Sequence, residues 1–222
     1  MFSAQRIPLL GPEDPLPPVT HARQDLGGLL ALGGGLSVAR LLAAYRCGIF
    51  PWGTQQGLPV WYYPTPRMVL FPDELRISRS LQKNLRNSPF EFRHNHNFSA
   101  VIDACATQKR PHQDGTWISA ELRAAYGELH RQGWAHSAET WLDGELIGGL
   151  YGLWIGKVFF GESMFTRQSN ASKFAFAHWV AHLRHQHCAL IDCQMHTAHL
   201  ASLGAREISG TQFQHHLRHL IA

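Results

Sequence analysis

The sequence predicts an α+β protein in which a mixed β-sheet carries helices on its faces. Three strand-like runs follow one another across tight turns between His136 and Phe165. Helical segments with N-cap residues precede and follow these strands. One long helix, from Ala171 to Gln186, separates two apolar strands. Grouped strands flanked by helices indicate a mixed sheet with helices packed against it.

Length and composition place the chain among globular proteins. It has 222 residues, of which 45% are hydrophobic and 16% are charged, which is enough to bury a sizeable core. The length and the motifs below predict a small N-terminal domain over 1–62 and a larger domain over 63–222. No apolar run reaches the ~20 residues of a membrane span. The N-terminus lacks a secretory apolar core, and a cytoplasmic location is expected.

The N-terminal part predicts an irregular arm and one helix. Residues 1–25 are rich in proline. Ser37 is placed to cap a helix with an apolar stripe that includes Tyr45, and Gly48 to end it. The glycine-dense segment GGLLALGGGL fits neither a phosphate-binding loop nor a dinucleotide fingerprint. The segment Ile49 to Trp52 predicts an exposed turn.

The larger part predicts an alternation of strands and helices. A short strand, RMVLF, lies between prolines, and Ser78 and Ser119 are placed to cap helices on either side of FEFR and SAVIDACA. Asp143-Gly144 predicts the turn of a hairpin, with VFFGESMF as the next strand. After the long helix come the segments ALIDCQM, HLASLG, REI and TQFQHHLRHLI, which predict a strand, a short helix, a brief strand and a final helix.

Three polar side chains are predicted to converge on one crevice. A right-handed strand–helix–strand crossover makes the strand before the long helix parallel to the strand after it. Their carboxyl ends would bring together Glu162, Asp192 and Gln194, since Asp192 and Gln194 share one strand face and Cys193 points to the other. Alternatively, Glu162 is a solvent-facing loop carboxylate, and Asp192 and Gln194 form a polar strand end that caps a neighbouring helix.

Two features are compatible with a nucleic-acid partner. Arg76, Arg79, Lys83 and Arg86 form a basic segment without an acidic residue, in a chain of formal net charge +4. Such a segment fits contacts with phosphates, although an ordinary solvated helix face is the alternative. Trp52 and the tryptophan of GTWIS, Trp117, both lie in predicted loops. They could stack on an unpaired base, or they could pack in the core, as most tryptophans do.

The 15 histidines do not predict a metal site. His178, His182 and His185 share one predicted helix face, but the first and last lie ~10 Å apart along the axis, so they cannot easily share one ion. No H-E-x-x-H motif occurs. The four cysteines show no C-x-x-C spacing and are expected to be reduced. We expect no metal and no cofactor.

Taken together, ordered motifs over about residues 27 to 208 resemble the leucyl/phenylalanyl-tRNA–protein transferases. The matching stretches are GGLLALGGGL, AYRCGIFPW, PTPRMVLFP, ISRSL, GTWIS, AYGELHRQGWAHSAETW, LIGGLYG, FFGESMF, NASKFA, LIDCQ and HLASLGAREI. GESMF together with DCQ is the most specific pair. The resemblance implies a small N-terminal domain and a C-terminal domain with an acyl-CoA N-acyltransferase-like (GNAT-like) mixed sheet.

The resemblance also implies an activity. Members of this family transfer Leu or Phe, and Met less well, from aminoacyl-tRNA to the N-terminal Arg or Lys of a protein, which marks it for ATP-dependent proteolysis.

Site residues follow from the same resemblance. It implies that Asp192 and Gln194 are a catalytic pair and that Glu162 is an active-site carboxylate. From amide chemistry, we expect the Gln194 NH₂ group to donate to Asp192 while its oxygen accepts from the attacking amine. The two tryptophans, Trp52 and Trp117, would lie near the terminal adenosine. The resemblance places the pocket for the transferred side chain at Leu150, Phe159 and Trp179.

Two rival functions remain. A CoA-dependent N-acetyltransferase would need a glycine-rich link between strand and long helix to hold a pyrophosphate. The link here, Thr166 to Asn170, contains no glycine. A non-catalytic RNA-binding protein would explain the basic helix and the tryptophans, but not the Asp192 and Gln194 pair.

Overall fold

A computed structural model describes residues 6–108 and 116–221. The chain forms two mixed sheets with α-helices packed against them, as the sequence predicts. No helix within the described ranges is long and apolar enough to span a bilayer.

The first sheet is formed by the N-terminal part of the chain. Its four strands, β1 (Leu9–Leu10), β2 (Leu29–Gly33), β3 (Phe50–Gln55) and β4 (Leu58–Tyr62), lie in the order β1-β2-β4-β3. The helix α1 (Val38–Arg46) connects β2 to β3, and Ser37 caps it as predicted. The strands were not predicted, because glycines and prolines interrupt their alternation. The predicted turn at Ile49 to Trp52 is wrong, since most of it lies in β3. Residues 1–5 of the predicted arm lie outside the described residues.

The second sheet has seven strands in the order β11-β5-β10-β9-β8-β7-β6. The central pair β9 and β10 is parallel and all its other neighbours are antiparallel, which confirms the predicted mixed sheet and crossover. The strands are β5 (Arg67–Leu70), β6 (Glu91–His94), β7 (Ala135–Leu142), β8 (Glu145–Ile155), β9 (Val158–Thr166), β10 (Leu190–Gln194) and β11 (Arg206–Ile208).

Six helices follow α1 in the described part of the chain. Ser78 and Ser119 cap α2 and α4 as predicted, and each side-chain oxygen accepts a backbone N–H in the first turn. The helices are α2 (Arg79–Asn87), α3 (Phe98–Thr107), α4 (Ala120–Arg131), α5 (Ala171–His185), α6 (Ala198–Ser202) and α7 (Gly210–Leu220).

Alternate residues of the central strands enter two separate cores. Phe159 and Leu150 pack with α5 on one face of the seven-stranded sheet. Phe160 and Tyr151 point to the other face, where they pack with residues of α1, α3 and α4. This second core is continuous with the first sheet, since Tyr45 of α1 contacts Phe160 edge to face. The first sheet therefore packs against the face of the larger sheet that carries α3 and α4.

Candidate active site

A cavity of about 380 Å³ opens where β9 and β10 separate. Their parallel pairing ends at Phe160 and Asp192. Beyond that point β9 continues beside β8, whereas β10 ends at Gln194. The gap between the strands becomes the cavity. Among the described residues that line it are Trp52, Trp117, Leu150, Phe159, Glu162, Asp192 and Gln194.

Two β-bulges shape this opening. In β9, Glu162 falls between Gly161 and Ser163, which pair with successive residues of β8, so Glu162 itself has no partner opposite. Gly152 is required opposite this bulge, because a Cβ there would lie 2.1 Å from the Phe160 carbonyl oxygen. Bulges of this kind redirect side chains and are common beside active sites.

The second bulge lies in β10 at Cys193 and changes the predicted strand geometry. Asp192 pairs with Val69 and Gln194 with Met68, which leaves Cys193 as the extra residue. Gln194 has a left-handed backbone with φ of 62°. As predicted, Cys193 faces away from the other two, since it packs with the core on the α5 side of the sheet. Asp192 pairs with Arg67 between Phe50 and Phe213 on the other side, and the Gln194 side chain bonds to Glu162 there.

Glu162 is a buried carboxylate, not a solvent-facing one. It is 8% exposed. Its Oε2 accepts a hydrogen bond from the Tyr126 hydroxyl at 2.8 Å, and its Oε1 accepts one from the Gln194 amide at 2.9 Å. Burial raises the pKa of Glu162 to about 7, while the nearby Tyr45 and Tyr126 hydroxyl groups favour the charged form. Glu162 therefore changes its charge near neutral pH.

Asp192 is fully buried and pairs with Arg67. The Arg67 guanidinium donates two hydrogen bonds to the carboxylate, from Nε at 2.8 Å and from Nη2 at 2.6 Å. Both side chains are 0% exposed. The Arg67 guanidinium also lies between the Phe50 and Phe213 rings, 4.9 and 4.6 Å from their centroids. The charge of Asp192 is thus compensated within the protein.

The predicted contact between the Gln194 amide and Asp192 is wrong. The amide donates to Glu162 instead. Asp192 contacts Gln194 through the backbone, since Asp192 Oδ1 accepts the Gln194 N–H at 2.9 Å. Asp192 therefore holds the left-handed backbone of Gln194, and that backbone directs the Gln194 side chain to Glu162.

The two tryptophans lie side by side at the cavity. Trp52 is 37% exposed, and Trp117 is half-buried. Trp52 projects from β3, not from a loop, and meets Tyr62 edge to face. Trp117 lies against the same strand, since a Cβ built on Gly53 of β3 would be 3.6 Å from the Cβ of Trp117. An aromatic surface from both parts of the chain therefore borders the opening.

The apolar wall of the cavity includes two of the three residues that the resemblance placed there. Leu150 and Phe159 line the cavity. Trp179 of α5 is 1% exposed and packs edge to face behind Phe159, with ring centroids 5.4 Å apart. Trp179 is absent from the described cavity lining. It supports Phe159 from behind, and its effect on the pocket stays a prediction.

The basic segment forms an exposed surface on and before α2. Arg76, Arg79, Lys83 and Arg86 are all exposed, and none of them forms an ion pair with another residue in the described ranges. On its inner side, α2 inserts Leu81 into the same core as Leu203, next to α6. The helix α6 contributes His199 and Leu200 to the cavity lining, so the basic helix and the cavity wall rest on one shared core.

Sequence reasoning missed Arg67, Tyr45 and Tyr126. A single arginine in the apolar strand RMVL was the available signal for Arg67, because a buried cation needs an acidic partner. Tyr45 and Tyr126 had no comparable signal, since they occupy ordinary core positions of α1 and α4. Within the described ranges, no group of three His, Cys, Asp or Glu side chains is placed to hold a metal ion.

The chain that forms this cavity matches two models of one protein family. The family model for leucyl/phenylalanyl-tRNA protein transferase matches residues 69–218, and the model for its N-terminal domain matches residues 34–65. The chain belongs to the leucyl/phenylalanyl-tRNA–protein transferase family. Its members are aminoacyltransferases, and so is this chain.

Relatives in this transferase family match nearly the whole chain. A leucyl/phenylalanyl-tRNA–protein transferase of Dechloromonas aromatica is 58% identical over 97% of this chain and 92% of its own length. One of Chromobacterium violaceum is 58% identical over 93% of this chain and 88% of its own length. A solved structure of L-PGS from Bacillus licheniformis shares 11% identity, with a TM-score of 0.41, over 78% of this chain and 56% of that one. A likeness that distant indicates nothing about activity.

The two transferase family models also meet at the cavity. Trp52 lies within the match to the N-terminal domain, and Trp117 within the match to the main domain. The division at 62/63 stays a prediction, since the two sheets share one continuous core.

Proposed function

We propose that this aminoacyltransferase moves Leu or Phe, and Met less readily, from aminoacyl-tRNA to the N-terminal Arg or Lys of acceptor proteins. The new residue would mark those proteins for ATP-dependent proteolysis. The observation that carries the proposal is the cavity itself. It combines an apolar wall with one carboxylate, Glu162, that forms no ion pair with any residue in the described part of the chain.

The donor would bind by its terminal adenosine and its amino-acid side chain. Trp52 and Trp117 offer ring faces and edges on which the adenine can stack. The transferred side chain would lie against Leu150 and Phe159, with Trp179 behind them. Charged side chains such as Asp or Lys would lose their hydration there without gaining a partner, so they would be excluded.

The acceptor would bind by its positive charges. Asp192 is already neutralised by Arg67, whereas no cation among residues 6–108 and 116–221 is paired with Glu162. An unpaired carboxylate attracts an acceptor that carries an N-terminal ammonium group and a cationic Arg or Lys side chain.

Gln194 would orient the attacking amine. A carboxylate only accepts hydrogen bonds, so the NH₂ group of Gln194 must face Glu162. The amide oxygen of Gln194 then remains to accept a hydrogen bond from the amine. The donor is an ester and is already activated, so the reaction needs no ATP, and positioning of the two substrates supplies most of the acceleration.

The proposal is tested by one assay with purified protein. We expect Leu-tRNA and Phe-tRNA to transfer their amino acid to a peptide beginning with Arg, without ATP, metal ion or CoA. The same peptide with an acetylated α-amine is the control and should stay unmodified. An acetylated product from acetyl-CoA would instead support the acetyltransferase. Binding of tRNA without any product would support a non-catalytic RNA-binding protein.

The basic surface on α2 should contact tRNA phosphates and not the amino acid. We expect Lys83→Ala/Arg86→Ala to raise KM for Leu-tRNA and to lower the salt dependence of that KM by about two units of logarithmic slope, one for each lost phosphate contact. Arg76 and Arg79 should act in the same way.

Lys157→Ala/Arg218→Ala is the matched control for this prediction, because it removes the same charge from exposed positions outside α2. A leucyl-adenosine donor lacks the phosphates and should react equally well with both double variants. Equal losses with the long and the short donor would contradict the assignment.

A further inference from the structure

Two buried tyrosine hydroxyl groups connect the N-terminal part of the chain to the Glu162 carboxylate. Tyr45 of α1 and Tyr126 of α4 lie with their hydroxyl oxygens 2.5 Å apart. The Tyr126 hydroxyl donates to Glu162 Oε2. Both tyrosines are 0% exposed. The mechanism above gives neither of them a role.

The direction of these hydrogen bonds follows from the number of protons. Each tyrosine hydroxyl has one proton, and Tyr126 uses its proton for Glu162. Tyr45 must therefore donate to Tyr126. Burial raises the pKa of both hydroxyls well above the ordinary value, so both stay protonated at neutral pH. The two tyrosines together form a donor chain that ends on the carboxylate.

We propose that Tyr126, supported by Tyr45, holds Glu162 ionised and oriented toward the cavity, where Glu162 takes a proton from the attacking α-ammonium group. This inference rests on the proposed function. It makes Tyr126 and Tyr45 positioning residues and Glu162 the proton acceptor. Since Tyr45 belongs to α1, it also means that the small N-terminal part contributes to the reaction.

The step is balanced without any co-reactant. Glu162 receives one proton from the ammonium group, and the freed amine attacks the ester carbonyl carbon. The new C–N bond forms as the bond from that carbon to the ribose oxygen breaks. The second proton of the amine passes to the departing ribose oxygen, and Glu162 later releases its own proton to water.

The surroundings of Glu162 favour this role over one for Asp192. Tyr45 and Tyr126 face the Glu162 carboxylate as neutral groups from α1 and α4, while Asp192 and Arg67 act on it as a paired charge. Tyr151 of β8 lies next to both tyrosines. Arg67 occupies both oxygens of Asp192. The Asp192 oxygens are thus already held by a cation, whereas Glu162 lines the cavity and accepts only neutral donors, Tyr126 and Gln194, among the described residues.

The test measures kcat/KM for an Arg-initiated peptide between pH 6 and 8.5 with saturating Leu-tRNA. The hydrogen bond from Tyr126 favours ionised Glu162, so Tyr126→Phe should raise the pKa of Glu162. The loss of activity at low pH should then begin at a higher pH than in the native protein. We expect the ratio of native to Tyr126→Phe activity to be about tenfold at pH 6 and below about twofold at pH 8.5, as a shift of about one pKa unit predicts. Tyr45→Phe should show a smaller effect in the same direction.

The controls separate this role from a structural one. Tyr63→Phe removes a hydroxyl that bonds to Gly210 and Gln214 outside the cavity, and its ratio should stay near one at every pH. Glu162→Gln should have low kcat/KM without the further fall at low pH that the native protein shows. Adding Tyr126→Phe to Glu162→Gln should cause no further loss of kcat/KM. A ratio for Tyr126→Phe that does not vary with pH would overturn the inference. Absence of transfer by the native protein would instead reject the proposed function.

Discussion

Replacing Arg67 with Met is expected to lower the free energy of unfolding by about 3–5 kcal/mol, the usual cost of removing one partner from a buried ion pair. The substitution leaves the Asp192 carboxylate fully buried and without its two guanidinium donors. It also removes the hydrogen bond from Arg67 to the Gly48 carbonyl, which connects β5 to the end of the α1 segment. The measurement is urea unfolding followed by tryptophan fluorescence.

Two further variants make this result specific. Arg184→Met removes the same side chain from an exposed pair with Asp73, and it should change stability little. Arg67→Met/Asp192→Leu removes both buried charges and should recover much of the lost stability. Transfer activity should not recover, because the Gln194 N–H has then lost its acceptor. A double variant as unstable as Arg67→Met, or one with restored activity, would contradict this account.

Gln194→Ala is expected to lower kcat by about 10²–10³, the usual scale for one preorganised polar group at a reacting centre. In the proposed mechanism, the amide that orients the amine would be lost, while the proposed tryptophan and phosphate contacts of the donor would remain. KM for Leu-tRNA should therefore hardly change. Steady-state transfer to the Arg-initiated peptide measures both parameters.

Gln214→Ala is the matched control for the Gln194 variant. Its amide binds the Cys47 carbonyl and the Tyr63 hydroxyl, outside the cavity, so turnover should stay close to that of the native protein. Gln194→Asn keeps the amide but shortens its reach, and it should fall between the native protein and Gln194→Ala. Near-native turnover in a folded Gln194→Ala protein would remove this residue from the mechanism. Aminolysis assisted by the tRNA itself would then be the explanation.

The larger sheet was predictable because its signals are local. Ser78 and Ser119 mark helix starts by hydrogen bonds within one turn. Asp143 and Gly144 both have positive φ, which matches the tight hairpin turn that their sequence indicates. The smaller sheet was missed because its strands lack such local signals. Pro51 and Gly53 lie inside β3, and only pairing with β4 makes that segment a strand.

The candidate site was predicted in part. The crossover rule correctly brought Glu162, Asp192 and Gln194 to one cavity. It did not give their contacts, because the β-bulges and the left-handed backbone of Gln194 set where these side chains point, and strand pairing rules do not include them. The position of Trp179 behind Phe159 also depends on how α5 packs on the sheet, which side-chain type alone does not specify.

The sequence by itself determined the α+β class, the main elements of the larger sheet and the polar residues that meet at its crevice. The class and the elements depend on capping, turn chemistry and periodicity, which act over a few neighbouring residues, and the meeting of the polar residues follows from the fixed hand of a strand–helix–strand crossover. Only the tertiary structure decided that Arg67 neutralises Asp192, that Gln194 donates to Glu162, and that Tyr45 and Tyr126 support that carboxylate. These contacts join residues 32 to 125 positions apart, and their energies depend on burial that arises only when the two sheets pack together.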